Sequence, residues 1–75
     1  MPEVGTVHGV RVIANGDPVE LAEGATVDDL LVHLGLGGKW VVVERNREPV
    51  ARAELAVTVL AEGDRIELVR AVAGG

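Results

Sequence analysis

From Val10 onward the apolar residues change their spacing in a fixed order: every second position, then every third or fourth, then every second again. Val10, Val12 and Ala14 alternate with Arg11 and Ile13, which predicts a strand with one face buried. Asn15-Gly16 follows, and because both residue types tolerate positive φ it predicts a two-residue type I′ hairpin. Val19 to Ala22 alternates again with Val19 and Leu21 inward, so the first two elements form an antiparallel hairpin.

The period then changes. Val27, Leu30, Leu31 and Leu34 stand at i, i+3, i+4 and i+7 and form one stripe of a short helix. Thr26 is placed to cap its first turn, Asp28 and Asp29 sit where the helix dipole favours negative charge, and Gly35 suits the left-handed position after the end. A glycine-rich connector leads to Trp40–Arg45, a third strand with Val41 and Val43 on one side, closed by Asn46-Arg47-Glu48-Pro49 as a turn. Ala51 to Ala61 has no sustained period, although Val50, Leu55, Val57 and Leu60 are available to a core. Glu62-Gly63-Asp64 is a tight turn into Arg65–Ala71, where Ile66 and Leu68 alternate with Glu67 and Val69.

A helix between a hairpin and later strands implies an α+β domain, a mixed sheet with one main helix packed across one face. Its bounds are expected at 10–71, preceded by a loose extension over 1–9 that holds Pro2, Gly5 and Gly9 and followed by a flexible tail over 72–75. At 75 residues the chain supports one small core, which suits a binding module or carrier better than an enzyme with a deep pocket.

Composition narrows the chemistry. There is no cysteine and no serine, so disulfides, thiolate metal sites and the usual acyl-transfer nucleophiles are missing, and only Thr6, Thr26 and Thr58 carry aliphatic hydroxyls. His8 and His33 lack the spacing of a zinc motif and read as surface residues. Gly38-Lys39 resembles part of a phosphate-binding loop, but His33 and Trp40 occupy the positions that such a loop gives to Gly and to Ser or Thr. A formal charge of -5 argues against nucleic acid and favours a positively charged protein cleft. No basic leader or membrane-length apolar run is visible, so the expectation is a cytoplasmic protein, off the membrane and monomeric when alone.

The ordered pieces resemble one family. Asn15-Gly16, Gly24-Ala25-Thr26-Val27 before Asp29-Leu30-Leu31, Leu34-Gly35-Leu36, Val43-Glu44-Arg45-Asn46, Gly63-Asp64-Arg65-Ile66-Glu67 and the terminal Gly74-Gly75 follow the pattern of the ThiS sulfur carriers, within the ubiquitin-like β-grasp group. The resemblance spans Val12 to Gly75. Arg47 departs from it, since many members carry Gly there, and Leu55 stands near a place where Trp is common. The resemblance implies a carrier and co-substrate in place of an enzyme, with no bound cofactor. A partner adenylating enzyme would consume ATP to make an acyl-adenylate at Gly75, sulfur from a donor protein would displace AMP, and the thiocarboxylate would serve a thiazole synthase in thiamin biosynthesis. Gly75 is thus the expected reactive residue, and Val72, Ala73 and Gly74 are the expected threading segment.

Glycine at the end fits that role physically, because without Cβ the backbone enters a narrow channel and presents an unhindered acyl carbon. Four extended residues reach about 13 Å. Strand parity further leaves Ile13, Val42 and Val69 on the face away from the helix, as a candidate docking patch. The residues themselves leave three other readings open: the same chemistry serving molybdopterin or a secondary metabolite, a ubiquitin-like protein modifier, and a β-grasp binding module that carries nothing.

Overall fold

The computed structural model describes residues 9–37 and 39–70. Its elements are β1 (Gly9–Ala14), β2 (Asp17–Ala22), α1 (Val27–His33), β3 (Val41–Arg45), β4 (Glu48–Val50), a 3-10 turn (Arg52–Glu54) and β5 (Arg65–Arg70). The five strands form one mixed sheet in the order β2-β1-β5-β3-β4. β5 is central, parallel to β1 and antiparallel to β3. The expected α+β plan, one helix across one face of a mixed sheet, is the plan observed. β1 starts at Gly9, one residue earlier than expected, and residues 1–8 and the tail segment 72–75 lie outside the described residues.

The core lies between α1 and the inward rows of the sheet: Val12 and Ala14 from β1, Val41 and Val43 from β3, Ile66 and Leu68 from β5, and Val27, Leu30 and Leu31 from the helix. Val19, Leu21, Leu36 and Val50 pack at its edge. At about 25 cal/mol per Å² of apolar surface removed from water, each fully buried Leu, Ile or Val contributes roughly 1.5–3 kcal/mol. Three of the apolar residues expected to pack do not join it: Val10, near the start of β1, is only half-buried. Leu34 is the residue that ends α1 and is partly exposed, and Val57 is 66% exposed.

The helix is short, so its ends matter. Thr26 and Asp29 form a reciprocal capping box, the Asp29 amide donating to Thr26 Oγ1 and the Thr26 amide to Asp29 Oδ2. The Val27 and Asp28 amides donate to the carbonyls of Thr58 and Leu55. The segment 51–61, unreadable as a helix or strand, therefore supports the helix directly. It supplies carbonyls to the first turn of α1 and buries Leu55 and Leu60.

The expected four-residue turn at 46–49 is shorter than predicted. Asn46 and Arg47 alone make it, with φ of 51° and 73°, and Glu48–Val50 pairs back on β3. Pro49 suggests a turn, but β4 is an edge strand, where proline is tolerated because its missing donor faces away from the sheet. Pro18 occupies the equivalent second position of the other edge strand, β2. Each edge thus lacks one outward N–H, which discourages strand addition by another chain. Among the described residues no helix is long and apolar enough to cross a membrane.

Candidate functional site

The strand that leads into the Gly-Gly segment is the central one, and it is fixed on both sides. Along β3, the pairs run from Arg45 opposite Ile66 to Val41 opposite Arg70. Along β1, the backbone ladder ends with the Asn15 amide donating to the Ile66 carbonyl. The Asn15 side chain then takes over: its Nδ2 donates to the Leu68 carbonyl at 3.1 Å, and its Oδ1 accepts from the Leu68 amide at 2.8 Å. A side-chain amide carries donor and acceptor like a peptide unit, so it extends the ladder past the end of β1. Gly75 stands five residues beyond Arg70 in the sequence, a reach of about 16 Å for extended chain.

The start of β5 is held by a second polar cluster. Asp64 is buried and its carboxylate accepts from Arg45 Nε at 2.9 Å, Asn46 Nδ2 at 3.0 Å and the Ala61 amide at 2.8 Å. Asn46 Oδ1 also accepts from the Arg65 amide at 2.9 Å. Burial alone raises the Asp64 pKa, but the Ala61 amide, Asn46 and Arg45 outweigh it and hold the carboxyl below its ordinary range. In the sequence Asp64 and Asn46 read only as turn residues. One signal of their role is present there: Asp64 shares the inward parity of Ile66 and Leu68, and a carboxylate on the apolar side of a strand requires partners.

Of the expected docking residues, Val42 and Val69 come together. They are directly opposed across β3 and β5 on the face away from α1 and are 58% and 63% exposed. Ile13 does not join them. It is half-buried and pairs with Pro18 on one side and Arg65 on the other, and Arg65 is four residues, about 13 Å, back along β5 from Val69. The same parity that places all three on one face says nothing of their spacing along it. Val72, Ala73, Gly74 and Gly75 lie outside the described residues.

Near the end of β5 that leads to this segment, Trp40 immediately precedes Val41, and the Arg52 guanidinium lies 3.8 Å from the centroid of its indole. Trp40 is 66% exposed, so the contact is a surface one that joins the entry of β3 to the 3-10 turn. His33 is exposed in the last turn of α1, and among the described residues no group of three or more His, Cys, Asp or Glu side chains is placed to hold a metal.

Known proteins resemble this arrangement. The family model described as "ThiS family" matches residues 9–75. The sulfur carrier protein ThiS of Bacillus subtilis is 40% identical over 50 residues, 67% of this chain and 76% of that protein. A thiazole synthase of Magnetococcus marinus is 38% identical over 66 residues, and one of Paramagnetospirillum magneticum is 33% identical over the same length. The match covers 88% of this chain in both cases but only 20% of each synthase, so the chain spans about a fifth of their length. The crystal structure of the thiamine biosynthesis protein ThiS from Geobacter metallireducens superposes with a TM-score of 0.68 at 30% identity, covering 88% of this chain and 100% of that one. Matched from the first residue of β1 through Gly75 and superposable on a solved ThiS over most of its length, the chain belongs to the ThiS family.

Proposed function

We propose that this protein is a sulfur carrier for thiazole formation in thiamin biosynthesis, with the α-carboxylate of Gly75 as its reacting group. The observation that carries this reading is the family match through Gly75, on a domain whose central strand is fixed from both sides and ends at Arg70, four residues before Gly74. The thiazole synthases that contain a domain similar to this chain support a link to such a synthase and favour thiazole over the other sulfur pathways.

The chemistry asks little of the domain. A terminal carboxyl with a pKa of roughly 3.3–3.7 is ionised at neutral pH and needs no base of its own. Its oxygen attacks the α-phosphorus of ATP on a partner adenylating enzyme, and pyrophosphate leaves. Hydrosulfide released by a donor protein then attacks the acyl carbon and loses its proton, the bond to AMP breaks, and a thiocarboxylate remains. Attack of that sulfur on an electrophilic carbon of the synthase-bound acceptor forms a thioester, and water then cleaves its acyl C–S bond, leaving the sulfur on the acceptor and restoring the Gly75 carboxylate. The protein is a co-substrate throughout, and ATP belongs to the partner. Gly74, Ala73 and Val72 thread into the partner while the Val42–Val69 pair rests on its surface.

Removing Gly74 and Gly75 separates the reactive end from the fold. The core is assembled from residues between Val12 and Leu68, so sulfur transfer in a reconstituted thiazole synthesis is abolished while Tm stays unchanged. A large fall in Tm on this deletion contradicts the assignment. Val69→Asp puts a charge where the complex excludes water and weakens binding to the adenylating enzyme with little effect on stability.

A further inference from the structure

Beside the Val42–Val69 pair on the open face of the sheet, the same register sets Glu44 directly opposite Glu67. Both are exposed. Like charges at directly opposed positions of neighbouring strands destabilise a sheet. The described residues form two ion pairs, Arg11 with Glu20 and Arg45 with Asp64, and neither neutralises this couple. Arg65, on the same face two positions before Glu67, makes no ion pair with it. The free domain therefore keeps a repulsive pair next to an exposed aliphatic pair, on the two strands nearest the exit of its reactive end. The glutamate pair opposes the isolated fold.

We propose that Glu44 and Glu67 together receive an arginine or lysine side chain from the adenylating enzyme, with Val42 and Val69 as the apolar part of the same contact. This rests on the carrier reading above. The choice of occupant follows from the reach of the chain. Gly75 lies within about 16 Å of Arg70, so when its carboxylate meets ATP, the outer face of β3 and β5 stands at the rim of the cleft that holds the triphosphate. A cleft that binds a triphosphate is lined with cationic groups and projects a positive potential at its mouth. One cation placed between two carboxylates converts their repulsion into two attractions, so the pair costs stability in the free domain and gains it in the complex.

The test is ATP–pyrophosphate exchange by the adenylating enzyme with full-length wild type, Glu44→Gln, Glu67→Gln and the double variant, beside a melting curve for each. Either single change removes the repulsion, so each raises Tm by about 1–5 °C and the second adds little. The double variant raises KM for the carrier roughly tenfold at low ionic strength with kcat unchanged, and the gap narrows as salt is added. A Tm that stays or falls overturns the proposal, because the pair is then not repulsive. A KM equal to wild type overturns it while leaving the carrier reading intact. Wild-type protein that supports no exchange at all overturns the carrier reading, and this proposal with it.

Discussion

Two hairpins in this domain begin with asparagine and differ at the next residue. Asn15-Gly16 joins β1 to β2, and Asn46-Arg47 joins β3 to β4. All four residues have positive φ, at 50° and 87° in the first turn and 51° and 73° in the second. In both, the asparagine side chain leaves the turn and bonds β5: Asn15 reaches the Leu68 backbone near its end, and Asn46 reaches the Arg65 amide at its start. The central strand is thus held at both ends by turn residues of its two neighbours. What differs is strain. Glycine accepts the left-handed region freely, whereas an arginine there costs about 1–2 kcal/mol. Arg47 is tolerated because the Asp64 cluster fixes the residues around it.

The largest expected effect comes from dismantling that cluster. Asp64→Ala leaves Arg45, Asn46 and the Ala61 amide without their acceptor and costs about 2–3 kcal/mol, a fall in Tm on the order of 10–20 °C. A drop as small as that of an ordinary surface substitution contradicts the role given to Asp64. The cluster also predicts a pH dependence. Because the folded pKa of Asp64 is depressed, its contribution is complete above the unfolded value of about 3.9 and is lost as pH falls through the lower folded value. The difference in Tm between wild type and Asp64→Asn should therefore shrink below roughly pH 4, and a difference constant into strong acid would refute the assignment.

Next in size is the clamp at the other end. Asn15→Gly keeps the backbone conformation and removes only the side chain, leaving the Leu68 amide and carbonyl unpaired at a cost of about 1–2 kcal/mol. Hydrogen exchange should quicken at Leu68 and its neighbours, while the Arg65 amide is unaffected. Asn46→Gly should produce the reverse pattern. Equal changes at both ends in either variant would mean that β5 opens as one unit. The smallest effect is a gain: Arg47→Gly relieves the left-handed strain and raises stability by up to about 1 kcal/mol, measured by urea unfolding.

The same two turns show what the sequence makes legible. Asn15-Gly16 is read at once, because both residues advertise positive φ and the flanking alternation is clean. Asn46-Arg47 is hidden inside a longer turn because Pro49 argues against a strand, and only the sheet order shows that it lies on an edge. The helix is legible from its stripe and its cap, although Leu34, counted in that stripe, ends the helix partly exposed. Segment 51–61 is opaque for a different reason: its function is to offer carbonyls to a helix about thirty residues away, and no local period encodes that. Of the candidate docking face, parity finds Val42 and Val69 but includes Ile13, because alternation sets the side of a sheet and only register sets position along it. The clamps of Asn15, Asn46 and Asp64 are likewise products of register.

The carrier assignment meets its most direct test in the intact mass of the full chain after incubation with its adenylating enzyme, ATP and a sulfur source. The expected result is a gain equal to the replacement of one oxygen by sulfur, placed by fragmentation on Gly75 and absent when ATP is withheld. A mass that stays unchanged under conditions where the adenylating enzyme loads another carrier, or a sulfur found on any other residue, would contradict it.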